Sequence, residues 1–395
     1  MADGINKLIV LKKESSWGTK PANTGGQLMP RVTGSFRPSI PSYQSALMNP
    51  SQQMRDSRHG THSAVGNLTS ELMCGAYKEL FAAGLRRDFG STAVTTGALT
   101  NITVGTGIPA FTRASGSFLT DGFKRGMIVD VTNPDEPLNA GRALVLDVDA
   151  LTMDAVLLSS VAWTAQSSGD TITIAQAGEW TYTPQTGHTN DSFTAEEWMS
   201  DISVSQITLG LVLNTFSVSL SPNGMVGATF DFMGKDFETP SDTRYFSSPA
   251  AVPGEGTMSS ASGVAYLDGS KSCRMTSMTL NVNNNVTMED MVLCAGKGAR
   301  SRGKVLVSGS ATFVLDNEDL LVKFVNEQEI EFMAVLTAQD GEALGFYAPR
   351  MKINDASYDD GEKVTILTLN FDMLEYVGSA TDILNTTLVI SDTTL

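Results

Sequence analysis

One short segment of the chain comes close to a phosphate-binding loop. Gly298 is followed by Gly303 and Lys304 at the spacing of the GxxxxGK motif, in which backbone amides and a lysine hold nucleotide phosphates. Val305 occupies the position where this motif requires a Ser or Thr hydroxyl for magnesium. The segment also leads into a predicted strand, whereas a phosphate-binding loop leads into a helix whose N-terminus binds the phosphate groups. Nucleotide binding is therefore not indicated.

The same segment carries the one dense group of basic residues in the chain, namely Lys297, Arg300, Arg302 and Lys304. Two interpretations stay open for this group. The four side chains form either a solvated loop or an electrostatic contact for an acidic face of a neighbouring copy.

Other residue types that carry out chemistry are scattered along the chain. His59 and His62 lie in a polar segment and His188 stands alone, and the pattern brings no carboxylates to any of them. A metal site is therefore not predicted. The chain has no Gly-x-Ser-x-Gly motif, and the acidic residues around 359–362 are explained better by a hairpin turn than by a calcium loop. The sequence predicts no catalytic residue and no cofactor.

Composition limits the class of protein. The chain has 395 residues, enough for two or three domains, and 41% are apolar, which argues against a disordered protein. The 43 acidic residues outnumber the 27 basic ones, and a net charge of −16 argues against a protein that grips nucleic acid. Three scattered cysteines predict neither a disulfide framework nor a zinc site. The first ten residues do not resemble a signal peptide and no apolar run is long enough to span a membrane, so we expect synthesis in the cytoplasm.

The clearest structural signal is a β-hairpin around Asn223-Gly224, a dipeptide that favours two-residue hairpin turns. On both sides of it, apolar and polar residues alternate with period two, as in a strand that is buried on one face. The apolar positions are Phe216, Val218, Leu220, Ala228, Phe230 and Phe232, and the polar positions are Ser217, Ser219, Ser221, Thr229 and Asp231. One face can therefore cover a core, while the other presents small hydroxyls and one acid to water.

Three segments are predicted along the chain. Residues 1–90 form an N-terminal arm, which prolines keep extended, followed by a helix over residues 70–83 that Gly84 ends. Residues 91–177 contain five short strands and are predicted to form an inserted small β-barrel. Residues 178–395 are rich in strands, with a second Asp-Gly hairpin signal at Asp360-Gly361. They also contain one amphipathic helix over residues 317–328, for which Asp316 is the expected N-cap.

These features resemble the tail tube proteins of long, non-contractile-tailed bacteriophages, the siphophage type. The resemblance runs through the start at residues 8–21, the Met54-Arg-Asp segment with the following helix, the end of the hairpin at residues 232–236, and residues 276–285 with the later strands up to residues 356–363. It covers residues 1–90 and 178–395, whereas the 91–177 insert is not part of the minimal tube fold.

The resemblance implies a β-sandwich or barrel with a flanking helix and no enzymatic activity. It implies that six copies close into a ring and that rings stack into a hollow virion tail tube. The implied partners are further copies of the chain, the tape-measure protein inside the tube, and the tail tip and tail terminator proteins. Double-stranded DNA would pass through the lumen into the host without specific binding.

Within such a tube, alternation predicts that Ser217, Ser219, Ser221, Thr229 and Asp231 face the lumen. The long polar stretch over residues 234–271 and the N-terminal arm have no evident local core, so we expect them to contact neighbouring rings.

Two other functions stay open. One is a different structural protein of a virus particle, such as a tail terminator or a decoration protein, which would form a single ring or bind a capsid. The other is a carbohydrate-binding or adhesive β-protein in which the 91–177 module contacts a cell surface. Trp163 is the only tryptophan in that module, so few aromatic side chains are available for stacking on sugars.

Overall fold

The computed structural model describes residues 3–90, 94–159, 161–253, 256–359 and 362–394. These residues form one 17-stranded antiparallel sheet, one six-stranded sheet and two small two-stranded sheets. Three α-helices and two short 3-10 helices, at Gly4–Asn6 and Pro137–Asn139, complete the described structure. The predicted mainly β fold is confirmed.

The N-terminal region takes part in the large sheet instead of lying extended across it. Its elements are β1 (Lys7–Lys13), β2 (Gln27–Leu28), β3 (Thr33–Ser39), β4 (Ser42–Gln44), β5 (Ser57–His59), β6 (Ser63–Glu71) and α1 (Lys78–Leu85). β3 pairs with β6 along its whole length, and Pro38 lies in β3. Proline is tolerated there because β3 is hydrogen-bonded on one side only, as an edge strand.

The first helix is shorter than predicted and begins later. Ser70 belongs to β6, where burial alternates with period two, so the prediction of a helix over residues 70–83 is wrong for its first half. Gly84 does not end α1 but lies inside it, and a Cβ atom there would come within 2.4 Å of the Phe216 ring. The helix ends at Leu85, and the C-cap residue Arg86 has a left-handed backbone with φ of 62°. Gly84 therefore allows close packing of α1 on the sheet.

The insert consists of a six-stranded antiparallel sheet with its own core. Its elements are β7 (Ile102–Val104), β8 (Phe111–Arg113), α2 (Phe118–Asp121), β9 (Ile128–Thr132), β10 (Gly141–Val148), β11 (Thr152–Leu157) and β12 (Thr173–Gln176), in the order β12-β9-β10-β11-β8-β7. Bridges pair Thr95 with Ala175 and Leu99 with Ile172. The segment before β7 therefore lies along the outer edge of β12, and the sheet curls towards closure.

The insert packs against the large sheet. Gly126 lies directly on the Tyr347 ring, and a Cβ atom at this position would come within 2.3 Å of the ring. The Arg125 guanidinium forms ion pairs with Asp147 of the insert at 2.6 Å and with Glu331 and Asp382 outside it. The core of the insert thus extends onto Val264, Tyr266, Met333, Val335 and Tyr347 of the large sheet, and it is separate from the core around α1.

The remaining chain supplies most of the large sheet. Its elements are β13 (Glu179–Tyr182), β14 (Phe193–Met199), β15 (Val204–Leu220), β16 (Gly227–Gly234), β17 (Asp236–Phe237), β18 (Gly263–Leu267), β19 (Ser270–Lys271), β20 (Met275–Asn283), β21 (Val286–Glu289), β22 (Ala299–Arg302), β23 (Leu306–Val314), α3 (Asp319–Val325), β24 (Glu329–Thr337), β25 (Ala343–Tyr358), β26 (Ile366–Met373) and β27 (Val389–Asp392). β15 and β16 form the predicted hairpin, in which Ser217 pairs with Thr229 and Asn223 has φ of 56°. β25 and β26 are also antiparallel neighbours, but the Asp360-Gly361 turn signal lies outside the described residues.

The second helix is confirmed with narrower bounds, because α3 covers only the middle of residues 317–328. The amphipathic pattern predicts that Leu320, Leu321, Phe324 and Val325 face the core. The first three pack against it, whereas Val325 is 75% exposed, so the prediction is wrong for this residue. Asp316 is not the N-cap. Its carboxylate pairs with Arg274, and Glu318 occupies the cap position.

The large sheet wraps around α1. The Phe81 ring lies 5.3 Å from the Phe216 ring on β15 and 5.7 Å from the Phe230 ring on β16. It also lies 6.5 Å from the Phe346 ring on β25, which is far away in sequence. Burial of these aromatic rings is the main stabilising contribution to such a core. The apolar face of the β15–β16 hairpin is therefore turned towards α1, and its polar face points the other way.

The long polar stretch at residues 234–271 is anchored to its own subunit. Phe246 and Met258 are fully buried, so the expectation that this stretch lacks a local core is wrong. The buried Glu196 carboxylate accepts hydrogen bonds from the backbone amides of Tyr245 and Phe246, at 2.6 and 2.8 Å. The stretch then continues into β18, which pairs with β24. A sequence pattern cannot show such anchors, because each partner lies tens of residues away.

Candidate assembly surfaces

The polar positions of the β15–β16 hairpin belong to a row that crosses eight strands. The register places one polar residue of each strand beside the next, from β3 at the edge to β25. In spatial order the row consists of Thr33, Thr69, Thr229, Ser217, Asn281, Ser308, Asp372 and Lys352. Because side chains two residues apart in a strand share a face, the rows on either side of this one belong to the same surface.

The flanking rows are polar too. One contains Ser35, Asn67, Asp231 and Thr215, and the other contains Ser219, Thr279, Ser310, Asn370 and Asp355. We call these three rows the polar face. Its charged side chains are mostly carboxylates, and Asp231 is tied into the sheet by hydrogen bonds from Asn67 at 2.5 Å and Thr215 at 2.9 Å. The polar face is therefore hydrated, rich in hydroxyls and poor in positive charge.

Four of the five residues predicted to face a lumen lie together on the polar face, namely Ser217, Ser219, Thr229 and Asp231. Ser221 lies beyond the end of β15, exposed in the turn. The sequence did not reveal that six further strands extend this face. Their alternation is visible, for example at Ser308 and Ser310, but the pairing of the strands is not local.

The four basic side chains between residues 297 and 304 have different environments. Lys297 forms an ion pair with Asp290 at 2.7 Å. Arg300 and Arg302 lie on β22 and donate hydrogen bonds to backbone carbonyls of residues 189–191 in the same chain, for example from Arg302 Nη2 to the Asp191 oxygen at 2.7 Å. Burial, followed by the charges of Arg300 and Arg86, lowers the pKa of Arg302 to about 10. Lys304 is exposed.

The Gly303-Lys304 pair precedes β23, so a strand and not a helix follows the GxxxxGK-like segment, as the sequence predicts. The pair lines an open groove of about 620 Å³ at the end of the sheet where β23 begins and β26 ends. We call it the cationic groove, since the cations Arg86 and Lys304 line it together with His188. Burial and the nearby Arg86 charge lower the pKa of His188.

The part of the chain that the structure describes contains no cluster of metal-binding side chains. Within it, no three His, Cys, Asp or Glu side chains lie close enough together to hold an ion. His62 lies 3.5 Å from Asp236, with no third such group beside the pair. No described helix has the length and apolar character that crossing a membrane would require.

A large sheet with a continuous polar face, an edge strand at β3 and charged side chains at its end suits a protein that assembles with copies of itself. A sequence model of one family, described as phage tail tube protein, matches residues 4–373. The chain belongs to this family. The match includes the N-terminal arm and runs across the 91–177 insert to the end of β26. No curated protein matches the chain.

A phage tail tube protein is a structural component of the virion tail that assembles with itself into a tube. The extended surfaces described above, and not a pocket, are therefore the functional features to explain.

Proposed function

We propose that six copies of this tail tube protein close into a ring and that the rings stack into a hollow tube around the tape-measure protein. The tube would end at the tail tip and tail terminator proteins and conduct phage DNA into the host. The subunits would be made in the cytoplasm of the host before assembly. The polar face is the observation that carries this proposal.

The polar face has the chemistry that a DNA-conducting lumen needs. DNA binds proteins mainly through Lys and Arg contacts with its phosphates, and each contact would slow its passage. Among the residues of the three rows, the one cation is Lys352, which the register places beside Asp372. Small hydroxyl and amide side chains leave the face wet and smooth. Ser217, Ser219, Ser221, Thr229 and Asp231 are our candidates for the lumen wall.

Ring closure would also explain the exposed edge of the large sheet. β3 pairs with β6 on one side and has no strand on its other side among the described residues. Side chains of the same subunit bind two backbone groups of this strand, since the Phe36 amide donates to Glu197 at 2.9 Å and the Gly34 carbonyl accepts from Lys7. The rest of the edge is open to pairing with another chain. Closing the sheet around a ring would cover this edge, and the apolar face would stay against α1 within each subunit.

Electron microscopy of the concentrated protein tests the proposal. We expect hollow, regularly striated tubes. Closed rings that never stack would favour a tail terminator, and a protein that stays monomeric and is missing from the tail shafts of intact virions would contradict the proposed function.

The lumen assignment is tested by chemical labelling of the assembled tubes. Ser219→Cys is placed in a background in which the exposed Cys273 and Cys294 are replaced by Ser. We expect a small maleimide to label Ser219→Cys in assembled tubes. A maleimide attached to a polymer that is wider than the lumen should label this cysteine only after the tubes have dissociated into subunits. Asp135→Cys, in an exposed loop of the insert, is the matched control and should react with both reagents. Full polymer labelling of Ser219→Cys in intact tubes would rule out a luminal position.

A further inference from the structure

Two guanidinium groups and a histidine are held close together beside the cationic groove. Arg86 follows α1, Arg302 ends β22, and the backbone of Thr189 connects them. The Thr189 amide donates to the Arg86 carbonyl at 2.8 Å, and the Thr189 carbonyl accepts a hydrogen bond from Arg302 Nη1 at 3.3 Å. His188 is the preceding residue and lines the same groove. The fold therefore fixes like charges near one another.

No carboxylate in the described chain forms an ion pair with these groups or with Lys304. Arg86, Arg302 and Lys304 have hydrogen bonds or solvent but no acidic partner within 4.0 Å. The Nε atoms of Arg86 and Arg302 and the Nδ1 atom of His188 are buried without a hydrogen-bond partner. Burial and then the Arg86 charge lower the pKa of His188, and burial followed by the charges of Arg300 and Arg86 lowers the pKa of Arg302, although the Asp191 carboxylate acts in the opposite direction. Such a cluster favours binding of an anion.

The groove itself leaves room for an acidic side chain. Its volume is about 620 Å³ and it is open to solvent, with Lys304 among its lining residues. Two acids, Asp372 and Glu375, line it as well. Glu375 accepts a hydrogen bond from Gln185 at 3.3 Å, and Asp372 lies beside Lys352, whose ammonium forms an ion pair with Glu327 at 2.8 Å.

A matching acidic segment lies at the opposite end of β23. The strand begins two residues after Lys304 and is followed at its far end by Asp316, Asn317, Glu318 and Asp319, which are all exposed. We call these four residues the acidic turn. Asp316 pairs with Arg274, whereas Glu318 has no ion pair in the described structure. At about 3.4 Å per residue, the nine residues of β23 separate the two sites by roughly 30 Å.

We infer that the acidic turn of one subunit docks into the cationic groove of a subunit in the next ring, with Glu318 facing Arg86, His188 and Lys304. This inference rests on the proposed stacking of rings and specifies which residues of two stacked rings contact each other. The two sites lie at opposite ends of one strand, so a subunit cannot satisfy its own groove. A contact between two different surfaces that does not close on itself repeats without limit, which is the geometry of a growing tube.

Disulfide cross-linking tests the contact directly. Lys304→Cys and Glu318→Cys are combined in one full-length chain that carries Cys273→Ser and Cys294→Ser. Because a disulfide requires Cα atoms about 4.4–6.8 Å apart, the two cysteines cannot join within one subunit. On oxidation of assembled protein, we expect a ladder of covalent dimers, trimers and longer chains. Each single-cysteine variant can give dimers at most, and Asp135→Cys combined with Lys304→Cys should give no ladder.

Charge reversal provides a second measurement with the native cysteines in place. We expect Glu318→Lys to raise the protein concentration needed for tube formation by about tenfold or more, since it places a further cation beside Arg86 and Lys304 in the groove. Asp135→Lys, the matched control with the same change of charge, should leave that concentration unchanged.

The outcomes separate this inference from the proposed function. Tubes that form without a covalent ladder, or that tolerate Glu318→Lys, would overturn the inference and leave the tail tube function intact. Absence of both tubes and ladder at every concentration would count against both.

Discussion

The carboxylate of Glu196 is the main anchor of the long polar stretch, and its removal is the most specific stability prediction that the structure offers. The side chain is 0% exposed. Its Oε1 atom accepts hydrogen bonds from the Ser205 hydroxyl and the Tyr245 amide, both at 2.6 Å, and Oε2 accepts one from the Phe246 amide at 2.8 Å. These bonds hold residues 244–246 against β14, with the Phe246 ring buried beneath.

The size of the effect follows from the donors left behind. Glu196→Ala leaves the buried Phe246 amide, the half-buried Tyr245 amide and the Ser205 hydroxyl without this acceptor, and each buried unsatisfied group costs about 1–3 kcal/mol. We expect a loss of about 3–5 kcal/mol in the free energy of unfolding, out of the roughly 5–15 kcal/mol of a typical domain. Glu196→Gln keeps one acceptor oxygen but turns an NH₂ group towards a donor, so we expect a smaller loss of about 1–3 kcal/mol.

Urea unfolding measures this loss as a lower midpoint with an unchanged m-value. Limited trypsin digestion should also show faster cleavage at Arg244, because local opening of the stretch becomes easier. Glu238→Ala is the matched control. This acid lies in the same stretch but is partly exposed, and its ion pair with Lys20 at 2.7 Å is worth about 1 kcal/mol or less. If Glu196→Ala cost no more than Glu238→Ala, the anchoring argument would be refuted.

Two further predictions concern the contact between the insert and the large sheet. Gly126→Ala should lower the free energy of unfolding by about 3 kcal/mol or more, because it combines backbone strain at a φ of 74° with a Cβ atom 2.3 Å from the Tyr347 ring. The control Gly97→Ala has a φ of 64° but no atom within 4 Å of the new Cβ, so it should lower this free energy by only about 1 kcal/mol. If thermal unfolding showed equal losses of stability for the two variants, the predicted steric clash between residue 126 and Tyr347 would be refuted. Glu331→Gln should change the pH dependence of stability. Burial raises the pKa of Glu331 in the folded state despite the hydrogen bond from Tyr347 and the nearby Arg125, so the folded protein binds this proton more tightly than the unfolded chain. The stabilisation is complete below the ordinary pKa near 4.5 and is lost as the pH rises through the raised value. The free energy of unfolding between pH 4 and 7 should therefore fall less steeply for Glu331→Gln, and identical slopes would refute the assignment.

Local patterns were sufficient where a structural element depends on its own residues. The period-two alternation around Asn223-Gly224 predicted the β15–β16 hairpin, because the two strands and their buried face are encoded within about twenty residues. The connection itself differs from the prediction, since residues 221–226 join the strands instead of a two-residue turn. The same holds for α3, whose apolar stripe over Leu320, Leu321 and Phe324 is local. The match of the family to residues 4–373 confirms the resemblance that the order of these patterns indicated.

Local patterns failed where a distant partner decides the conformation. Residues 70–72 fit a helical stripe, yet Ser70 extends β6 because β16 offers it a hydrogen-bonding edge, with Ala228 opposite Ser70. Gly84 was expected to stop the helix, but it lies inside α1, where the Phe216 ring leaves no room for a Cβ atom. Asp316 was expected to cap α3 but binds Arg274 instead.

The sequence by itself determined that this is an acidic, mainly β protein with a polar hairpin face and no predicted chemistry of its own, because composition and alternation are properties of neighbouring residues. Only the tertiary structure decided that polar residues from eight strands join into one surface, since register is set by pairing between distant segments. The tertiary structure also decided that Arg302 donates a hydrogen bond to the Asp191 carbonyl of its own chain. It places the cationic groove and the acidic turn at opposite ends of β23. Charges that look equivalent in the sequence differ because burial and partners are properties of the fold.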